Sequence, residues 1–386
     1  MTTTDMENRD KGKRSLGLYI HIPFCRRKCL YCDFCSVADG SGELVERYVD
    51  ALALCIAESA DKARDYTVDT LYIGGGTPTV LTLKQMERVL DACFRSYSVA
   101  DSAEISCECN PATGGYEYFC GIRKMGINRL SVGLQSAMGN ELQALGRIHS
   151  FSDFADTFSA ARRAGFDNMS VDLMYGIPEQ TAESFSKTLD AVVALSPEHI
   201  SAYCLKVEEN TPFGRMGDKL LLPDDDATSD MYELCSSYLR ERGYERYEIS
   251  NFARQGRESR HNMRYWQCRE YLGFGAAAHS YFGGERSAFS GNINAFANGE
   301  FSVSEREKID SSEEMLEYVM LGMRLGKGIS LSDFRLRFGA DIFSVFPRLR
   351  EFVESAHVLS DGERLFFSDK GVFISSYILS EILDFS

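Results

Sequence analysis

From residue 16 to about 206, short apolar runs alternate with stretches whose apolar positions recur every three to four residues. The runs at 17–21, 70–73, 104–109, 129–133, 169–174 and 199–205 read as strands. The intervening segments 44–60, 83–95, 116–125, 151–164 and 182–195 read as amphipathic helices. Gly126 and Gly165 stand just past the last helical positions, where a residue of left-handed conformation closes a helix. Strands that alternate with helices lie parallel, with the helices packed outside them. The sheet is then an open doubly wound layer or a partly closed barrel, and in both cases ligands gather at the carboxyl ends of the strands.

Beyond residue 222 the pattern changes. Pro223-Asp224-Asp225-Asp226 starts a helix, which runs over 231–242 and stops at Gly243. Residues 244–252 and 281–290 read as antiparallel strands around an irregular, glycine-rich middle. From 312 the order is helix, turn, helix, turn, helix and a hairpin over 359–367 about Asp361-Gly362. That order predicts an α+β end of the chain finishing in a small winged-helix-like unit with a structural or docking role. The expected division is a polar tail at 1–15, a core domain at 16–222, a linking region at 223–300 and a C-terminal domain at 301–386.

Composition narrows the class. A chain of 386 residues with 44% hydrophobic and 26% charged positions suits two soluble domains. The net charge of -15 repels phosphate backbones, so nucleic acid is not an expected partner. Residues 1–14 are polar and lack the apolar centre of a secretory leader. The late apolar stretch 372–383 is interrupted by Ser375, Ser376, Ser380 and Glu381, so no membrane span is expected. Of the 12 cysteines, Cys55, Cys93, Cys120 and Cys235 fall in helical patterns as packing residues. A cytoplasmic location follows, where thiols stay reduced.

Three other cysteines carry chemistry. Cys25, Cys29 and Cys32 lie in H-I-P-F-C-R-R-K-C-L-Y-C-D-F with spacing C-x3-C-x2-C. Three thiolates in one tight loop suit an iron–sulfur cube that keeps one iron open for a chelating molecule. Two alternatives are a zinc knuckle with Cys35 as fourth ligand, and a redox pair formed by Cys29 and Cys32. Gly74-Gly75-Gly76-Thr77-Pro78 follows a strand directly, and its lack of side chains permits close backbone approach. Isolated polar residues at strand ends are Glu108, Gln135 and Asp172, with Arg147 following shortly after. Such groups need partners when buried. Carboxylates suit ribose hydroxyls or an amino group, and a guanidinium suits a carboxylate. A cluster beside sites for ribose, amine and carboxylate describes S-adenosylmethionine chelated to iron.

On these strings, together with Tyr19-Ile20-His21-Ile22-Pro23-Phe24, Arg129–Gln135, Asp172-Leu173-Met174-Tyr175-Gly176-Ile177-Pro178 and His199-Ile200-Ser201-Ala202-Tyr203, the chain resembles the radical S-adenosylmethionine superfamily. Within it the chain is similar to the oxygen-independent coproporphyrinogen III oxidase group. The resemblance implies a partial (β/α)6 barrel with a [4Fe-4S] cluster on Cys25, Cys29 and Cys32. It also implies a nucleoside site lined by Tyr19, Gly75, Gly76, Thr77, Glu108, Gln135, Arg147 and Asp172, at which the sulfonium is cleaved reductively to methionine and a 5′-deoxyadenosyl radical.

Two features separate the branches of that group. The dehydrogenases carry another cysteine two places after the third, where this chain has Phe34, and a longer N-terminal extension. His261-Asn262-Met263-Arg264-Tyr265-Trp266 holds the only tryptophan and resembles the H-N-x-x-Y-W string of HemW-type haem chaperones. The nearby 273–280 string also matches, with Ala277 where glycine is usual and His279 as a second contact. The resemblance then implies haem held by His261, Tyr265 and Trp266 in the 223–300 region and delivered to acceptor proteins, a membrane protein among the possible acceptors. An electron donor of flavodoxin or ferredoxin type is implied as well. The alternative is a coproporphyrinogen oxidase or another radical enzyme acting on tetrapyrroles.

Overall fold

The computed structural model of the chain describes residues 14–38, 42–111 and 113–383. By contact it divides into two compact units, 14–235 with 270–307, and 236–269 with 308–383. Of the expected polar tail, residues 1–13 lie outside the described residues, and Arg14 and Ser15 already belong to the first strand.

The first unit is built on six parallel strands: β1 (Arg14–Ile22), β2 (Tyr66–Gly75), β3 (Val99–Cys109), β4 (Arg129–Gln135), β5 (Met169–Tyr175) and β6 (His199–Cys204). Each neighbours the next in chain order, and helices connect them, as the alternation predicts. Strand β2 is buried at seven of its ten positions, on both faces, with Thr67 and Thr70 among the buried residues and the apolar run 71–73 at its carboxyl half. Helices Leu83–Ser96, Phe151–Arg163 and Ala182–Val193 begin at reciprocal caps, Thr82 with Gln85, Ser150 with Asp153 and Thr181 with Ser184. Gly126 and Gly165 take φ of 106° and 94° past the helices Tyr116–Lys124 and Phe151–Arg163. The amides that follow, of Ile127 and Phe166, reach back to Ile122 and Ala161 and close both helix ends.

The stretch after 270 differs from expectation. β7 (Tyr271–Phe274) adds to the outer edge of the sheet, parallel to β1, with Leu18 opposite Leu272. The expected strand 281–290 is two strands, β8 (His279–Phe282) and β9 (Glu285–Phe289), turned at Gly283-Gly284 with both glycines at positive φ. β10 (Val303–Lys308) completes this edge.

In the second unit, residues 244–252 form no single strand. Glu245–Arg246 and Asn251–Ala253 pair antiparallel, and a helix, Arg260–Trp266, capped by the Ser259 hydroxyl, occupies what read as irregular chain. These pieces are too short for hydrophobic periodicity to register. Ahead of the hairpin the C-terminal part holds helices Ser311–Gly322, Leu331–Phe338, Ile342–Val345 and Leu349–Glu354, one more than expected, and after it come two unexpected helices, Asp369–Phe373 and Ser375–Ile382. The hairpin Val358–Ser360 with Arg364–Phe367 turns at Gly362, φ 90°, and joins Ile329–Ser330 in a three-stranded sheet. Among the described residues no helix is long and apolar enough to cross a membrane.

Candidate functional site

The cysteine loop leaves the carboxyl end of β1 and is tied down by backbone. Phe24–Cys25 pairs in parallel with Val37–Ala38, which closes the loop at its neck. The amides of Gly76 and Thr77, at and just past the end of β2, donate to Ile22 O and Phe24 O at 2.8 Å each. This explains the triple glycine. A Cβ on Gly76 would stand 2.7 Å from Phe24 O, one on Gly75 2.6 Å from the His21 ring, and one on Gly74 2.9 Å from the Glu108 carboxylate. The missing side chains therefore make room for the chain's own loop, imidazole and carboxylate.

His21 completes the mounting. Its Nε2–H donates to Cys35 O at 2.8 Å, which leaves Nδ1 to accept the Tyr19 hydroxyl at 3.1 Å. Burial holds the imidazole pKa below its ordinary value, against the Cys35 carbonyl, so the neutral tautomer that bridges strand and loop is favoured.

The three cysteines are half-buried. Burial pushes the thiols of Cys25 and Cys32 up, and the proximity of Cys29 adds to both. Donors already face two of the sulfurs: Thr77 Oγ1 lies 3.6 Å from Cys25 Sγ, and an Arg147 amino group 3.4 Å from Cys29 Sγ. The other arm of Arg147 donates to Gly133 O at 2.7 Å. Its Nε is buried without a hydrogen-bond partner, as is Asn110 Oδ1. Both residues line one opening with Cys29 and Thr77. Among the described residues no three His, Cys, Asp or Glu side chains stand close enough together to hold a single metal ion, but the three-cysteine loop, its sulfur-directed donors and the two orphaned polar atoms suit a larger cluster carrying a polar chelating ligand. Cys35, the alternative fourth ligand, points elsewhere, with Sγ donating to Gly291 O at 3.4 Å.

Strand register sets the remaining polar groups in rows. Tyr19, Tyr72, Ser106 and Arg129 lie side by side across β1 to β4, and Glu108, Ser131, Ser170 and His199 across β3 to β6. Glu108 accepts from Tyr72 Oη at 2.9 Å and from Gly75 N at 3.1 Å. Burial pushes its carboxyl up to about 7, the Tyr72 bond pulls it down and nearby Asp172 raises it again. Asp172 accepts from Ser131 Oγ at 2.9 and 3.0 Å and from Ser170 Oγ at 3.3 Å. Gln135 ends β4 with φ 72°, at the point where the β4–β5 register slips by one residue. A left-handed glutamine at a bulge is backbone strain beside the site.

The structure thus places Tyr19, Glu108, Gln135 and Asp172 within β1, β3, β4 and β5, Gly75 at the end of β2 with Gly76 and Thr77 just past it, and Arg147 beyond the short helix Gly139–Ala144 that follows β4, its amino group bonded back to Gly133. His261, Tyr265 and Trp266 belong to the second unit. His261 is fully buried, and its Nε2 is 2.8 Å from Tyr265 Oη, one helical turn on, with the rings edge to face. Tyr265 and Trp266 are half-buried. His279 is exposed on β8. Ala277, where glycine was expected, does take a positive φ of 59°.

The sequence reading missed His21, Tyr72, Ser131 and Ser170 as parts of the site. Two-residue alternation was the available signal, because Tyr19 and His21 share a face, as do Ser170 and Asp172. Serines and tyrosines in strands are ordinary, so nothing else marked them.

Comparisons with known proteins agree with this geometry. The profile of the radical SAM superfamily matches residues 19–192, and that of the HemN C-terminal domain matches residues 309–374. The heme chaperone HemW of Bacillus subtilis (strain 168) is 33% identical over 373 residues, 95% of this chain and 98% of its own. The heme chaperone HemW of Escherichia coli (strain K12) is 33% identical over 348 residues, 89% of this chain and 91% of its own. Coproporphyrinogen III oxidase (HemN) from Escherichia coli, a radical SAM enzyme, superposes with a TM-score of 0.85 at 22% identity, over 99% of this chain and 93% of that one. That likeness shows a common fold.

Proposed function

This chain belongs to the HemW family of radical SAM proteins, and from that premise we propose that it is a cytoplasmic haem chaperone. In this reading it binds a [4Fe-4S] cluster on Cys25, Cys29 and Cys32 and S-adenosylmethionine beside it. Haem is its cargo, held through His261, Tyr265 and Trp266 in the 223–300 region and passed to acceptor proteins. When bound, the cluster supplies an electron for reductive cleavage of the sulfonium.

The chain's own residues do the positioning. Tyr72 and the Gly75 amide fix Glu108, and Ser131 with Ser170 fixes Asp172, so both carboxylates are oriented before a ligand arrives. Carboxylates held this way suit ribose hydroxyls or an ammonium group. Arg147 is anchored at Gly133 O, which leaves the rest of its guanidinium for a carboxylate and for Cys29. His261 donates to or accepts from Tyr265, so iron ligation through Nε2 requires that bond to open.

The observation that carries the reading is the cysteine loop seated against Thr77 and Arg147, with orphaned polar atoms at the same opening. The deciding experiment is anaerobic purification with iron and sulfide analysis, followed by haem titration with and without S-adenosylmethionine. Iron and sulfide are expected in wild type and absent from Cys29→Ala, because two thiolates do not hold the cube. A protein without iron and sulfide, or one that decarboxylates coproporphyrinogen III at a useful rate, overturns the proposal.

A further inference from the structure

We propose that the outer face of the β7–β9 edge of the sheet holds a binding cleft for a small amphipathic carboxylate, a short acyl chain with an anionic head. Register defines the face. Leu18 stands opposite Leu272 and Tyr19 opposite Gly273, so Leu272 and Phe274 point away from the side that carries Tyr19 and His21. Tyr271 pairs with Tyr281 and Ser280 with Ser287, which puts Ser280, Phe282, Glu285, Ser287 and Phe289 on that same outer face. Together with the end of the helix Glu43–Glu58 and Val303 of β10, this face encloses a cleft of about 250 Å3. The cleft lies wholly in the first unit, across the sheet from Tyr19 and His21.

The hollow has a cause in the sequence. Leu272, Ser280 and Ser287 form one row across three strands, and two small side chains stand where large ones would close it. Ser280 is 8% exposed, and its hydroxyl accepts from Gly273 N at 2.9 Å, which leaves its own proton for another acceptor. Phe282 and Phe289 are half-buried and Val303 is 43% exposed, so apolar surface at the opening is uncovered. Charge at the rim selects the head group. Lys62 and Arg306 both line the cleft. Arg306 Nε lies 3.4 Å from Glu285 Oε1, whereas Lys62 forms no salt bridge among the described residues. One cation is left over beside hydroxyl donors, on a chain of net charge -15, which suits a carboxylate. Volume sets the size of the occupant. It falls below the roughly 300 Å3 at which sites for drug-sized ligands begin, so the cleft encloses neither a tetrapyrrole nor a peptide segment.

The probe is radiolabelled sodium octanoate in equilibrium dialysis against the purified chain. Saturable binding of one octanoate per chain is expected, with a dissociation constant below about 1 mM, a modest demand on about ten heavy atoms. Acetate, which lacks the chain, and octylammonium, which carries the opposite charge, should each compete at least tenfold more weakly. Lys62→Gln, on an exposed turn, is expected to weaken binding about three- to fivefold, the worth of one exposed ion pair. Ser287→Leu, which fills the hollow, is expected to weaken it at least tenfold. If Ser287→Leu does not melt as a folded protein, Val303→Asp on the exposed rim takes its place, with the loss expected of Lys62→Gln. Absence of saturable binding overturns the proposal, and so does octylammonium competing as well as octanoate. Unchanged affinity in either variant places octanoate elsewhere on the chain and overturns it too. Displacement of octanoate by haem does the same, because the cleft would then belong to a cargo site.

Discussion

At the scale of single residues, Glu108 shows how the site stores free energy. Its carboxyl is pushed up to about 7 by burial and by Asp172, against roughly 4.3 in an unfolded chain. Between those values the folded protein holds a proton that the unfolded chain has released. Stability contributed by Glu108 is therefore full at low pH, declines as pH rises through that window and stays low above about 7. The sum is on the order of 3–4 kcal/mol. Glu108→Gln removes this titration, so the variant should gain on wild type by about 2–3 kcal/mol of it between pH 5 and pH 8 in denaturant melts of the ligand-free protein. A constant difference across pH would show that the carboxyl is not raised. Glu108, Gln135, Arg147 and Asp172 were legible in the sequence because a charged or amide side chain in or beside an apolar strand has few reasons to be there. Tyr72, Ser131 and Ser170, which hold two of them in place, were not, because their residue types are at home in any sheet.

At the scale of elements, strand ends and one short helix govern the chemistry. The carboxyl end of β2 is moulded onto the cysteine loop, and Gly76 is where the two backbones touch. Gly76→Ala puts a methyl group 2.7 Å from Phe24 O, a backbone atom that cannot step aside alone. The expected cost is about 1–3 kcal/mol of stability, with iron and sulfide retention falling further than the melting temperature alone would imply. Full iron retention would mean that the loop tolerates the shift. In the helix Arg260–Trp266, His261 and Tyr265 are four residues apart and meet as that spacing dictates. Tyr265→Phe deletes the hydrogen bond that engages Nε2. Should Nε2 ligate haem iron, haem should bind up to about tenfold tighter, matching a lost competitor of 0.5–1.5 kcal/mol. Unchanged affinity would exclude Nε2 as the ligand. The six parallel strands were legible because short apolar runs alternate with amphipathic helical stretches long enough to show their period. The short pieces 245–246, 251–253, 260–266 and 271–274 were not, since none spans enough positions to display a period.

At the scale of the whole molecule, the chain leaves its first compact unit after residue 235 and returns to it at 270. A linear reading sees only consecutive segments, so a strand such as Tyr271–Phe274, which pairs beside β1 some 250 residues earlier, has no local sign of its destination. The same division sets the two binding assignments in different units. The cysteines belong to the first unit and the H-N-x-x-Y-W helix to the second. Independent sites show additive effects, so a pair of variants, one in each unit, tests whether cofactor content is additive too. His261→Ala is therefore expected to keep wild-type iron and sulfide while its haem dissociation constant rises at least tenfold. Cys29→Ala is expected to lose iron and sulfide while keeping haem affinity within about twofold. Both are read by parallel metal analysis and haem titration of the same preparations. If Cys29→Ala instead loses haem as His261→Ala does, the cargo is held through the cysteine loop, and the H-N-x-x-Y-W string is a structural helix with its histidine buried for packing.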